Sequence, residues 1–333
     1  MNMAAAPMPK KRRGQRRDTD VIRTSKPSFK ASQALALHRP TRIAPDYVSQ
    51  SLGNKSGYQT FQLETGDATY RAITFAIVST VAIAGKTTNI GGKHYVNVAN
   101  LAEFIGEVRL VANGTDLQRL SSAELLRRNV FHDSTFGPVF NGFAFPGRNA
   151  YHRRDLVDAY ALGTLQFRSL TLELRLEDAF DSDTMEVTVS PHVVDVAKHI
   201  GFTYTTERIN KTFTGIGKHT YKDIPVADDI KDIWIMGNGI THLKMEVDGD
   251  VMFDMDRATY ESYLISNGRN IATLAGNWLL DFHAEGDPRS LAALDRIGEV
   301  RRGAGIKFDV TTSVESTPVE FLVTNAGLYR KIR

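Results

Sequence analysis

Ile105-Gly106-Glu107-Val108-Arg109-Leu110-Val111-Ala112-Asn113-Gly114-Thr115-Asp116-Leu117-Gln118-Arg119-Leu120-Ser121-Ser122-Ala123 has an ungapped counterpart 135 residues further on. That counterpart is Ile240-Thr241-His242-Leu243-Lys244-Met245-Glu246-Val247-Asp248-Gly249-Asp250-Val251-Met252-Phe253-Asp254-Met255-Asp256-Arg257-Ala258. Val108 meets Leu243, Leu110 meets Met245, Leu117 meets Met252, Leu120 meets Met255 and Gly114 meets Gly249. Each copy reads as an alternating strand that runs into Asn-Gly or Asp-Gly, the pair that accepts the positive φ of a tight hairpin. A returning strand and a helix cap follow. Ser121 with Glu124 makes a capping box, and Asp256 caps the second helix. Leu126 with Val130, and Tyr260 with Leu264, are four apart and are expected to face inward. Strand, turn and helix is a common sequence of elements. Two ungapped copies one small domain apart point to a duplicated domain.

The rest of the chain agrees with a β protein. Leu170, Leu172, Leu174 and Leu176 alternate with Thr171, Glu173, Arg175 and Glu177, as a half-buried strand does. Tyr70 to Val81, Met185 to Val189, Ile233 to Met236, Trp278 to Phe282, Ile306 to Val310 and Val319 to Val323 read as further strands. Residues 131–163, with Gly137-Pro138, Asn141-Gly142 and Pro146-Gly147, read as loop, and Pro191 to Phe202 as a linker. Asp287 is expected to cap a short helix opened by Pro288. Many short strands with few helices indicate sandwiches rather than a parallel α/β sheet. The fold expected is all-β: two tandem eight-stranded jelly rolls with short helices and a disordered basic N-terminal arm. The divisions are an arm over 1–48, a first jelly roll over 49–195 and a second over 196–333.

The net charge of +3 conceals an uneven distribution. Residues 1–43 carry eleven Lys or Arg against two Asp, a net of +9, and the remainder is acidic. Such a segment buries too little apolar surface to offset its ordering entropy. Its cluster Lys10, Lys11, Arg12, Arg13, Arg16 and Arg17 suits polyanions through counterion release. Nucleic acid, an anionic membrane leaflet and an acidic protein surface all fit, and a nuclear import signal has the same composition. The start of the chain lacks the apolar run of a signal peptide.

Catalytic patterns are missing. There is no cysteine, the nine histidines form no H-x-x-x-H or H-x-H pair, and no serine sits in a G-x-S-x-G elbow. Gly85-Lys86-Thr87 and Gly217-Lys218-His219 imitate a P-loop, but Thr80 and Thr212 stand where its first glycine belongs, and both are read as loops. Asp248, Asp250, Asp254 and Asp256 lack EF-hand spacing. Asp248 suits the turn and Asp256 the cap. Asp248 and Asp250 stand as candidates for a cation shared between subunits.

Several stretches of the chain resemble the major capsid protein of corticoviruses, membrane-containing marine bacteriophages. These are Thr206-Glu207-Arg208 to Ile224-Pro225, the hairpin at Asp248-Gly249 with its helix ending near Tyr263-Leu264, and Asp281-Phe282 with Glu285-Gly286-Asp287. Ala161-Leu162-Gly163-Thr164 leading to Leu170-Thr171 and Glu173 is similar too. The resemblance runs from about residue 100 to the C-terminus. It implies a non-enzymatic double jelly-roll coat protein whose homotrimers form pseudo-hexagonal capsomers of an icosahedral virion. Such a capsid shell would be assembled in the host cytoplasm over an inner membrane, beside neighbouring capsomers and minor capsid proteins. The family also implies calcium between subunits; no other cofactor is expected. The basic arm departs from the family, and inner membrane, genome and neighbouring capsomers are its expected contacts. Two other readings stand beside this one: a carbohydrate-binding or carbohydrate-cleaving jelly-roll protein, and a nucleic-acid-binding protein with an auxiliary β body.

Overall fold

A computed structural model describes residues 42–43, 48–50, 57–132, 135–145, 161–195, 202–224, 229–247, 249–274, 276–282, 295–296, 299–300 and 305–328. The cluster Lys10–Arg17, Asp248 and the expected helix at Asp287-Pro288 lie outside them.

The strands up to residue 195 make two facing sheets. In chain order they are β1 (Arg42–Ile43), β2 (Val48–Gln50), β3 (Tyr58–Leu63), β4 (Ala68–Ser79), β5 (Thr87–Ile90), β6 (Lys93–Val96), β7 (Ile105–Ala112) and β8 (Thr115–Ser121). Helix α1 (Ser122–Phe131) follows, then β9 (Asn141–Ala144), β10 (Leu162–Gly163), β11 (Leu170–Leu176) and β12 (Met185–Asp195). One sheet runs β3-β11-β7-β8. In the other, β1 and β2 share one side of β12, β12 pairs β4, and β10, β9 and β6 fill the far side of β4.

The second set repeats the plan with β13 (Phe202–Thr214), β14 (Gly217–Ile224), β15 (Asp229–Met236), β16 (Ile240–Val247), β17 (Asp250–Asp256), helix α2 (Arg257–Ser266) and β18 (Trp278–Asp281). A two-stranded ribbon of β19 (Asp295–Arg296) and β20 (Glu299–Val300) precedes β21 (Ile306–Thr312) and β22 (Ser316–Leu328). Its sheets run β13-β22-β15-β18 and β14-β21-β16-β17. In both sets the strand order crosses between sheets as a jelly roll requires. The sequence duplication is a structural one: β7, β8 and α1 recur as β16, β17 and α2, with every bound displaced by 135 residues.

Local chemistry explains these elements. Asn113 and Gly114 take φ of 52° and 80° at the first hairpin, and Gly249 takes 90° at the second. The Asn113 side chain also accepts hydrogen bonds from the Arg168 and Ser169 amides. Ser121 and Glu124 form the reciprocal capping box, and Asp256 accepts from the Thr259 amide. The four alternating leucines of β11 are all buried.

Five expectations change. Leu126 and Val130 are only half-buried; the covered face of α1 carries Leu125, Arg128, Asn129 and Phe131. Polar Arg128 and Asn129 on that face break the apolar pattern from which it would be read. Asn141-Gly142 is not a turn but the start of β9. A Cβ on Gly142 would lie 2.2 Å from the Ile73 carbonyl oxygen, so glycine here permits close strand approach. The expected linker is mostly strand, since β12 continues through Pro191 to Asp195. Pro191 pairs with Ile73 on β4 and lies between the stretches of β12 that bind β1 and β2, so its missing N–H breaks no ladder bond there. Gly217-Lys218-His219 opens strand β14 rather than a loop. Arg42–Ile43 and Val48, assigned to the arm, are strand residues paired to β12.

Two glycine replacements separate these effects. Gly142→Ala forces β4 and β9 apart and should cost about 3 kcal/mol. Gly249→Ala strains a positive φ in open space and should cost about 1 kcal/mol. Urea titration of the two variants measures the difference.

Candidate functional site

The two jelly rolls meet along one seam, and the charged side chains that sequence patterns failed to single out collect there. Strand β13 lies along the outer edge of β8, where the Thr206 hydroxyl accepts from the Arg119 amide at 2.9 Å. Arg208 reaches Glu124 at the N-terminal end of α1, at 2.7 Å, and also pairs with Glu320. At the other end of α1, Phe131 packs edge-on to Trp234 of β15, with the Arg269 guanidinium 5.8 Å above the Phe131 ring.

Between these contacts lies a buried cluster of charges. The Asp232 side chain is fully inaccessible; Arg128, His132 and Lys231 approach its Oδ2 at 4.0, 3.6 and 3.7 Å. These are ion-pair distances, too long for hydrogen bonds. Arg269 donates to Asp281 at 2.6 Å, and both are buried. Lys231 also sits 4.6 Å above the Tyr204 ring. Arg128, Arg269 and Lys231 share this buried space with two carboxylates. Burial, and then the charge of Lys231, push the His132 imidazole down to about 4, against the pull of the two aspartates. Burial and Arg128 push the Lys231 amine down to about 8. Burial opposes ionisation of Asp232, but Arg128, His132 and Lys231 outweigh it and hold the carboxyl well below the usual range.

A seam of this kind orients more than it stabilises. Charges taken out of water recover little net energy from each other, whereas removing one partner strands the rest. The same elements also tie each helix to its own roll. Asn129 donates to the Asn141 side chain and the Gly142 carbonyl, and the Tyr260 hydroxyl donates to the Leu279 carbonyl. One sequence signal marks this region: Lys231-Asp232 interrupts the apolar run Ile230 to Ile235, all of which is buried.

Of the site residues selected from sequence, Asp250 lies among the described residues. Asp250 is exposed at the start of β17, and among the described residues no three metal-ligating side chains come together. Gly85 and Lys86 form a turn that leads into a strand, without the helix N-terminus of a phosphate cradle.

No family model matches the sequence, and no curated protein matches it. Solved structures do share its fold. The major capsid protein P2 of bacteriophage PM2 superposes with a TM-score of 0.70 at 17% identity, covering 88% of this chain and 99% of that one. The STIV MCP, from Sulfolobus turreted icosahedral virus, follows at 0.56 and 8%, covering 87% and 97%. The PBCV-1 virus capsid follows at 0.52 and 10%, covering 87% and 94%. The chain therefore has the double jelly-roll fold of these capsid proteins.

Two measurements test the seam. Asp232→Asn leaves Arg128 and Lys231 facing each other without compensation and should cost about 3–5 kcal/mol in urea titration. His132 has a folded pKa below its unfolded value of about 6.5, so the unfolded chain binds more protons between about pH 6.5 and pH 4. Stability should fall as pH falls through that window, by on the order of 3 kcal/mol from this group. His132→Gln should remove that part of the slope. Asp232 contributes at a lower pH, because its depressed pKa preserves its share until the pH falls through the folded value.

Proposed function

We propose that this chain is a major capsid protein whose trimers present six jelly rolls in a pseudo-hexagonal ring and tile an icosahedral shell. One observation carries the reading beyond the shared fold. Within the chain, the outer edge of β8 and one face of α1 dock on the sheet that begins with β13. Among the described residues, nothing covers the equivalent surface of the second roll. On β17, Val251 and Met252 are 52% and 48% exposed. Val130 of α1 is half-buried, and its counterpart Ile265 is 56% exposed. An exposed apolar edge is a surface that proteins normally cover. A second copy of the chain supplies a cover of the right kind, since its first roll offers the sheet that begins with β1 and β2. The contact is heterologous, so it needs a closed ring to end; six rolls in three chains provide one.

In this reading the protein performs no catalysis, and the fit between copies is its chemistry. The cluster Lys10–Arg17 is then a charge device directed at the genome or at inner-membrane headgroups. Light scattering of the purified chain, with negative-stain microscopy of the peak, tests the assembly. The expected result is three chains of 37.0 kDa in a particle of hexagonal outline. A stable monomer that binds glycans would replace this reading with the carbohydrate one. Ile265→Lys, on the uncovered face, should weaken trimer formation at least tenfold and leave the melting temperature of the monomer within a few degrees.

A further inference from the structure

We infer that residues 30–39 of one copy's arm add as a strand to the outer edge of β17 in a neighbouring copy. The inference rests on the ring described above and names what lies in one of its junctions. Strand β17 ends its sheet, and among the described residues only β16 pairs with it. Its exposed residues include Val251 and Met252, at 52% and 48%. Its seven residues, Asp250-Val251-Met252-Phe253-Asp254-Met255-Asp256, carry three carboxylates and no lysine or arginine.

The three carboxylates are not equivalent. Asp256 is engaged as a helix cap, and Asp254 meets His242 Nε2 at 3.3 Å. The Asp250 backbone pairs with Val247, but its side chain has no hydrogen bond or ion pair among the described residues. The nearby cations are already committed. Lys244 pairs with Glu246, and Arg257 pairs with Glu261. The edge is thus an apolar centre flanked by negative charge.

The arm carries the complementary pattern. Lys30-Ala31-Ser32-Gln33-Ala34-Leu35-Ala36-Leu37-His38-Arg39 places two leucines at strand spacing between a lysine and an arginine. Ten extended residues span ~33 Å, more than the ~23 Å of β17. Strand addition to a sheet edge satisfies the backbone of both partners, and side chains choose the register.

The point of entry selects the neighbouring copy. Within the chain, β13 opens its sheet and lies along β8. In the ring, β1 holds the equivalent place, opening its own sheet beside the β17 of another copy. Because β1 begins at Arg42, the arm leaves the body at that junction, three residues from Arg39. The intrachain cover of β8 is made from Arg119 onward. By the 135-residue offset, Asp250 to Phe253 lie ahead of the corresponding stretch of β17 and remain open to the arm.

Cross-linking of full-length protein assembled from mixed heavy-isotope and unlabelled chains tests the inference. A zero-length carbodiimide should join the Lys30 amine to Asp250 or Asp254 in heavy–light peptide pairs. The variant carrying Leu35→Asn and Leu37→Asn keeps every reactive group, adds none and should lose at least nine-tenths of that product. Trimers without heavy–light Lys30 products would overturn this inference and leave the ring standing. Products within single chains only would likewise overturn it. Protection of the arm from trypsin only by phosphatidylglycerol vesicles or only by duplex DNA would assign the arm to those partners instead. Monomers without heavy–light products would overturn both the inference and the ring.

Discussion

A carboxylate sealed from water must be neutralised by its surroundings, and Asp232 imposes that condition where the two jelly rolls meet. Arg128 and His132 come from the first roll, and Lys231 adjoins Asp232 on the second. Arg128 neutralises the carboxylate only when both rolls are folded and correctly placed. The seam therefore acts as a test of geometry. Apolar packing of Phe131 on Trp234 holds the rolls together, and the charges restrict the angle at which they are held. One cluster of buried apolar residues runs through both rolls, so the orientation is shared by the whole core.

The helices after β8 and β17 follow one plan and present different surfaces. Both are capped by a side-chain oxygen that accepts the amide three residues on, and both bind the strand that follows them. Their outward faces have diverged. Arg128 and His132 stand where α2 and its end carry Tyr263 and Asn267. The hairpin before each helix diverged as well: Glu107 pairs with Arg119, whereas His242 at the first position faces Asp254 at the second. Replacement of both partners keeps the cross-strand pair and alters what the edge presents to the next surface.

What could be read from the sequence followed the range of the forces involved. The Asn113-Gly114 turn, the Ser121–Glu124 box and the leucines of β11 depend on neighbours a few residues away or on simple alternation, and all were legible. The buried face of α1 was not, because Arg128 and Asn129 find their partners at Asp232 and Asn141. Gly142 looked like a turn residue because nothing nearby reveals Ile73 pressing against it. Lys231-Asp232 was visible as a flaw in an apolar run, but its meaning lay in the other roll. Asp250, the described residue among the site candidates, lies on β17 away from the seam.

The joining of both rolls in one chain has a kinetic consequence. A contact between tethered partners forms at a high effective concentration that dilution cannot lower. A contact between separate chains has no such advantage and must form at whatever concentration the cell provides. Costly desolvation of charge is then tolerable at the tethered junction and a handicap at the free one. In the proposed ring, the divergence of α1 from α2 has that direction: ions where the chain is continuous, aromatic and neutral side chains where it would not be. In the proposed ring, every second junction would be complete before any two molecules met, and assembly would have only the inexpensive half left to make.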